Sequence, residues 1–244
     1  MSNKLKVYSS LKDLDLKFIG EGESDLKNSN KQNDILEYKI IVIGDSLAGK
    51  TSFCNRFVLN EFDLEIRPSK ETNCYIKTIT LFDKEIKVYL LDLETNPLPI
   101  EGYEEQIYKN VNGILVMYDI TNNDSLEKSE KILNKTKKYC KLDENNNIPI
   151  ILVGNKNDLK FLRNISFADA QQRANQLNCE LKEINCNKDI ENVHDVMKHI
   201  ISKIYYNNLN EEEKEKIKNK AKQFYDINNN LFIVLFYIFI LLKN

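Results

Sequence analysis

No two of the five cysteines (Cys54, Cys74, Cys140, Cys179, Cys186) stand at C-x-x-C spacing. That removes a zinc site or redox motif as the organising feature of the chain. Their odd number and wide scatter fit reduced, partly buried thiols in a cytosolic protein. There are only two histidines, His194 and His199. Both fall on one helical pattern and are expected at the surface without a chemical role. Tryptophan is absent while Asn and Lys abound, a compositional bias of the source. A net charge of −2 gives no electrostatic footprint for nucleic acid. The first residues hold no apolar stretch of signal-peptide type, and the second residue is serine, not glycine, so neither a secretory signal nor N-myristoylation is expected. No cysteine follows Cys186, so C-terminal prenylation is not expected either.

Long apolar runs are scarce. Residues 231–242 read Leu-Phe-Ile-Val-Leu-Phe-Tyr-Ile-Phe-Ile-Leu-Leu. A helix of that length is about 18 Å long, against about 30 Å of bilayer hydrocarbon, so a full span is not expected. Three readings fit this tail: an anchor in a membrane interface, a segment packed in a groove of its own domain or of a partner, or a read-through intron of A/T-rich sequence. Before it, residues 211–222 interleave Glu211, Glu212, Glu213 and Glu215 with five lysines. The glutamates cancel much of the attraction that the lysines would have for anionic lipid, and a solvated helical linker is expected.

What is present is a chain of 244 residues, 42% hydrophobic and 30% charged, enough for one well-buried α/β domain with extensions. Residues 1–36 form a polar extension expected to be flexible. Strand patterns follow at 38–43, 72–82, 85–91, 113–120, 148–153 and 179–184. The second and third are joined by Asp83-Lys84, the spacing of an antiparallel hairpin. Helical patterns fall at 50–60, 125–140, 167–177 and 190–206. Ser166 stands three residues before Asp169, a capping-box start. Ile190, Val193, Met197, Ile200, Ile201 and Ile204 share one face of the last helix and are read as core. Strand-to-strand links of helix length predict right-handed crossovers. The fold class is therefore α/β: a six-stranded, mostly parallel sheet with one antiparallel edge strand and helices on both faces. Such a sheet binds its ligand outside the carboxyl ends of the strands.

One such end carries Gly44-Asp45-Ser46-Leu47-Ala48-Gly49-Lys50-Thr51, which fits G-x-x-x-x-G-K-[ST]. A strand ending in a glycine-bearing turn that opens a helix aims several backbone N–H groups into one concavity. Lys50 adds charge for the β- and γ-phosphates, and the Thr51 hydroxyl is a Mg²⁺ ligand. The motif does not choose the base. Gly154-Asn155-Lys156-Asn157-Asp158, at the end of another strand, reads N-K-x-D. A carboxylate at Asp158 accepts from N1–H and the exocyclic amine of guanine, a donor pair that adenine lacks. Asn155 braces the loop, and the Lys156 stem covers one base face. An ATP-using kinase fails on this second motif.

With both motifs in register, the chain resembles the Ras superfamily of small GTPases, and its Rab branch most closely. Arg56-Phe57, Lys77-Thr78-Ile79, Val116-Met117-Tyr118-Asp119-Ile120-Thr121 and Val153 to Asp158 match that family in order, over about residues 36–206. The resemblance implies a P-loop NTPase of the small G domain type at 37–206, a charged helical linker at 207–230 and a short hydrophobic tail at 231–244. It implies GTP or GDP with Mg²⁺ as ligands, and effector and regulator proteins as partners through the switch regions. It also implies a cytoplasmic location, peripheral on the cytosolic face of an endomembrane, with membrane contact through 231–242. Nucleotide contacts carry over to Gly44, Asp45, Ser46, Leu47, Ala48, Gly49, Lys50, Thr51 and Ser52, to Asn155, Lys156 and Asp158, and to Phe62 as the aromatic against guanine. Asn185-Cys186-Asn187 lies where the family has Ser-Ala-Lys, and the backbone N–H of Cys186 is aimed at guanine O6. Metal contacts carry over to Thr51, Asp92 (through water) and Ser69.

The chain departs from the family in the two switches. Lys70-Glu71 follow Ser69 where the family has an apolar residue and glycine. Asp92-Leu93-Glu94-Thr95-Asn96 stands where the family has D-T-A-G-Q. Thr95 keeps an N–H for the γ-phosphate but is stiff at χ1. Asn96, which with Lys50 is the catalytic candidate, carries the water-orienting amide on a shorter side chain. A shift of about 1 Å in such a group costs roughly a hundredfold in rate. Pro97 and Pro99 stiffen the segment further. The expected function is a guanine-nucleotide switch in vesicle and membrane trafficking with slow intrinsic hydrolysis. The alternative is a non-cycling pseudo-GTPase that acts as a nucleotide-binding scaffold.

Overall fold

The computed structural model describes residues 6–8, 35–63, 72–81, 84–94, 107–142 and 148–228. Seven strands form one sheet: β1 (Lys6–Tyr8), β2 (Leu36–Gly44), β3 (Asn73–Leu81), β4 (Lys84–Asp92), β5 (Gly113–Asp119), β6 (Ile150–Asn155) and β7 (Glu180–Glu183). The order across the sheet is β1-β3-β4-β2-β5-β6-β7. β4, β2, β5, β6 and β7 run parallel, and β3 pairs antiparallel with β4 from Asn73↔Asp92 to Leu81↔Lys84. These six are the strands expected from sequence. The short seventh comes from the polar extension, where β1 pairs antiparallel with Cys74, Tyr75 and Ile76 of β3. An edge strand as long as β3 presents unpaired backbone groups that attract other chains, and β1 covers part of it.

Among the described residues, α-helices pack on the sheet or extend from it at α1 (Lys50–Leu59), α2 (Ser125–Tyr139), α3 (Phe167–Gln176), α4 (Ile190–Asn207) and α5 (Glu211–Asn228). Alternation along β2 divides the core. Ile40 and Val42 join Phe53, Phe57, Val193, Met197 and Ile200 under α1 and α4. Ile41 and Ile43 join Leu126, Leu133, Ala170 and Ala174 under α2 and α3. Because helices cover both faces, the central strands are continuously apolar. The helix starts follow their local chemistry. Ser166 Oγ accepts from the Asp169 N–H at 3.0 Å, as the capping-box spacing predicts. Asp189 accepts from the N–H of Asn192 to open α4. The core face of α4 is as expected apart from Ile190, which is 39% exposed at the helix start.

One expectation about α4 is overturned. His199 is buried and paired with Glu180 of β7 at 2.5 Å, where Lys203 also bonds the same carboxylate. A helix packed on a sheet edge buries the imidazole when a strand carboxylate supplies its partner. Helical spacing alone did not reveal that partner, because Glu180 lies on another element.

Strand order reverses at β2: the chain moves toward β3 and β4 on one side, then to β5, β6 and β7 on the other. The carboxyl ends of β2, β4, β5 and β6 are Gly44, Asp92, Asp119 and Asn155. They lie on one rim, the position where open α/β sheets bind ligands.

Candidate nucleotide site

The loop from β2 to α1 is shaped by two glycines. Gly44 has φ +136°, and a Cβ there would lie 2.0 Å from the Met117 carbonyl oxygen of β5. Gly49 has φ +93°, and a Cβ there would lie 2.1 Å from Nδ2 of Asn155. Both positions need positive φ and close approach, so glycine alone fits them. Between them, Leu47 also has positive φ, at 61°, with its side chain 47% exposed. Ser46 N–H donates to Asp45 Oδ1, and Asp45 N–H to Ser129 Oγ of α2, which in turn donates to the Met117 carbonyl. The loop is thereby fastened to the sheet on its own side.

α1 starts directly from this loop. Its N-cap, Gly49, makes no side-chain cap bond, and its first turn holds no acidic residue. The first backbone N–H groups of a helix lack intrahelical acceptors and carry a partial positive charge. Here no carboxylate of the first turn compensates them, which suits an incoming anion. Lys50 is buried beside them and donates to the carbonyls of Gly44 and Asp45 at 3.1 and 2.9 Å. Burial pushes its pKa down, against the opposing pull of Asp92 and Asp45.

Asp92 ends β4 beside the same helix start. Its Oδ2 accepts from Thr51 Oγ1 at 2.5 Å. Its Oδ1 is buried and has no hydrogen-bond partner. Burial lifts the carboxyl to about 6, although Thr51 and Lys50 pull the other way. A buried, half-satisfied carboxylate beside a hydroxyl is a hard-oxygen donor set. It fits Mg²⁺, which takes one or two protein ligands and completes its shell with water and substrate phosphate. Among the described residues no cluster of three or more His, Cys, Asp and Glu could hold a metal.

The base side is built from the ends of β6 and β7. Asn155 spans the two halves of the site. Its Nδ2 donates to the Ala48 carbonyl of the phosphate loop at 2.9 Å, and its Oδ1 accepts from the Cys186 N–H at 3.3 Å. Lys156 has φ 68° and pairs with Asp119 Oδ2 at 2.6 Å. Asp158 is half-buried in the short turn Asn157–Leu162. Arg163, just after that turn, forms a two-pronged pair with Glu183 at 2.7 Å on each prong and reaches Asn157 Oδ1 at 3.1 Å. The loop after β7 is stiffened by Asn185, whose Oδ1 accepts from the N–H groups of Asn187 and Lys188. Burial pushes the Cys186 thiol up to about 12, so it is neutral and only its backbone is polar. Phe62 sits half-buried near this loop, with the Arg56 guanidinium 5.6 Å from its ring centre.

Residues 39–206 match the model of the Ras family. The chain belongs to the Ras family. It is similar to "Ras-related protein Rab11B" of Nicotiana tabacum, 31% identical over 168 residues that cover 69% of this chain and 75% of that protein. It is also similar to "GTP-binding protein ypt3" of Schizosaccharomyces pombe, 30% identical over 176 residues, 71% of this chain and 79% of that protein. "Ras-related protein Rab-11A" of Dictyostelium discoideum is 31% identical over 182 residues, covering 74% and 81% of the two chains.

In this Ras-family chain the structure brings Gly44 to Ser52, Asp92, Asn155, Lys156, Asp158 and Cys186 to one rim, with Phe62 beside the base loop. Thr95, Asn96 and Ser69, with Lys70-Glu71, Pro97 and Pro99, lie outside the described residues, as does the tail 231–242. Three supports of the site escaped the sequence reading. Asp119 and Arg56 stand in stretches that match the family but carry no motif role, and Asp119 holds Lys156. Ser129 fastens the phosphate loop from α2 and carries no motif. Arg56 reaches the base loop across the fold. Among the described residues, no helix is long and apolar enough to cross a membrane.

Proposed function

We propose that this chain is a Rab-like switch that binds GTP and GDP with Mg²⁺, acts in vesicle and membrane trafficking, and hydrolyses GTP slowly. The observation that carries the nucleotide reading is the pair of hydrogen bonds made by the Asn155 side chain. One side chain ties the phosphate loop at Ala48 to the base loop at Cys186, so phosphate and base are held by a single braced unit. Lys50 and the α1 start supply positive potential for the phosphates. Thr51 and Asp92 are the residues that would hold Mg²⁺, which when bound neutralises charge on the phosphate oxygens. Asp158 would accept from the guanine edge, with Cys186 N–H on O6 and Phe62 and Lys156 against the ring. The trafficking role rests on the likeness to Rab proteins.

Slow hydrolysis rests on the sequence of switch II. Asn96 replaces the family's glutamine, and Thr95 its glycine. A misplacement of about 1 Å for the water-orienting amide accounts for roughly a hundredfold slower chemistry. Single-turnover hydrolysis of bound GTP tests this reading. A rate about a hundredfold below that of a glutamine-bearing Rab supports it, and an equal rate overturns it. The second reading, a pseudo-GTPase scaffold, is favoured by alteration of both switches together, at Lys70-Glu71 and at Thr95-Asn96. It predicts equal partner affinity in the GDP and GTP forms, since a ligand without differential affinity shifts no equilibrium.

A further inference from the structure

Arg56 is buried on α1, two turns after the phosphate-binding start of the helix, and all three of its recorded acceptors are backbone carbonyls. Nε donates to the Cys186 carbonyl at 2.9 Å, and Nη2 to the Asn187 carbonyl at 2.8 Å. Nη1 donates to the carbonyl of Asn60, the left-handed residue that ends α1, at 3.3 Å. The same guanidinium lies over the ring of Phe62. The two elements expected to touch the guanine ring, Cys186 and Phe62, therefore converge on one cation.

The geometry around Cys186 is specific. Asn155 holds the N–H of this residue, and Arg56 holds its carbonyl. Arg56 holds the Cys186 carbonyl and the Cys186 N–H rests on Asn155 Oδ1 at a long 3.3 Å, so the peptide is anchored on both sides and a guanine O6 would share that N–H with the Asn155 oxygen in a bifurcated bond. The planar guanidinium makes two bonds in a rigid fork, which a lysine ammonium cannot reproduce. From Lys50 to Arg56 the helix rises about 9 Å, so α1 is a rigid spacer between the phosphate end and the base end.

We propose that Arg56 is a positioning residue for base recognition: by holding the Cys186 and Asn187 carbonyls it sets the Cys186 N–H for guanine O6. This inference rests on the guanine reading above. It goes further, because it assigns specificity to a residue outside both nucleotide motifs.

The test compares two nucleotides on the full chain: GDP, and the diphosphate of 2-aminopurine riboside, which keeps the 2-amino group and lacks O6 together with N1–H; the N1–H loss is common to every variant and cancels when variants are compared. Dissociation rates are measured for wild type, Arg56→Gln and Arg56→Lys. Wild type releases GDP more slowly than the O6-lacking analogue. Arg56→Gln speeds GDP release by about tenfold or more, as expected when charge-assisted bonds that orient a buried donor are lost. It changes release of the analogue by less than about twofold, because no O6 contact remains to lose. Arg56→Lys behaves like Arg56→Gln, since the fork and not the charge does the positioning. Equal acceleration of both nucleotides would show a purely structural role and overturn the inference. So would failure of both variants to fold. If wild type itself releases the two nucleotides alike, the guanine reading fails instead, and the two failures are told apart by that control.

Discussion

Replacing Gly49 with alanine puts a Cβ 2.1 Å from Nδ2 of Asn155 in a backbone held at φ +93°. The strain at that φ costs on the order of 1–2 kcal/mol for any residue with a Cβ. The contact is too close to survive, so the Asn155 amide has to move. Moving it breaks the 2.9 Å bond to the Ala48 carbonyl and the 3.3 Å bond from the Cys186 N–H. Leaving buried partners unsatisfied costs about 1–3 kcal/mol. The backbone strain is present with or without nucleotide, so it lowers folding stability. The loss of the Asn155 bridge uncouples the two halves of the site, so it lowers nucleotide affinity. Gly49→Ala is expected to lower the urea midpoint by about 1 M or more at an ordinary m-value. It is expected to speed release of bound GDP by roughly tenfold to a hundredfold. Urea unfolding of the nucleotide-free chain and stopped-flow release of a fluorescent GDP analogue read the two effects separately. An unchanged midpoint with release within twofold of wild type would refute the reasoning about both strain and bridge.

Two further predictions concern other parts of the fold. Burial opposes ionisation of Glu180, but hydrogen bonds from His199 and Lys203 outweigh it and hold the carboxyl down at about 2, against an ordinary 4.5. A depressed carboxylate stabilises the fold above pH 4.5 and loses that contribution as pH falls from about 4.5 toward about 2. The loss is at most about 3 kcal/mol at 1.36 kcal/mol per unit. Unfolding of wild type is expected to steepen with acid between about pH 4.5 and 2, and that of Glu180→Gln to be flatter; identical pH profiles would contradict the pairing. At the other edge, Val7 sits opposite Tyr75 in the β1–β3 pairing, and proline cannot donate to a ladder. Val7→Pro is expected to speed amide exchange by about tenfold at those of Cys74, Tyr75 and Ile76 whose N–H faces β1, while the alternate amides that face β4, and those of β2 and β5, stay unchanged. Unchanged exchange at the amides facing β1 would refute the pairing.

Most of the fold was legible because its signals are local. The buried strands read as apolar runs, the Ser166–Asp169 cap as a spacing, and the phosphate loop as a fixed pattern of glycine, lysine and threonine. N-K-x-D singled out Asn155 and Asp158 as candidates because a guanine edge calls for those groups. What sequence could not supply was pairing across the chain. Asp119 and Lys156 meet only when β5 and β6 lie side by side, and Ser129 reaches Asp45 only because α2 packs over β2 and β5. His199 looked like a surface residue until β7 brought Glu180 beneath it. β1 was missed for a different reason: three residues carry too little periodicity, and their pairing depends on an exposed edge elsewhere. The Asn155 bridge was only half anticipated. A brace was expected, but its reach from one half of the site to the other is a property of the folded rim.

The central claim is that this rim holds a guanine nucleotide. The most direct measurement is extraction and chromatographic identification of whatever nucleotide co-purifies with the full chain prepared in Mg²⁺. Near-stoichiometric GTP or GDP is the predicted result, with GTP prominent under the proposed slow turnover. An empty site, or an adenine nucleotide in its place, would contradict the account.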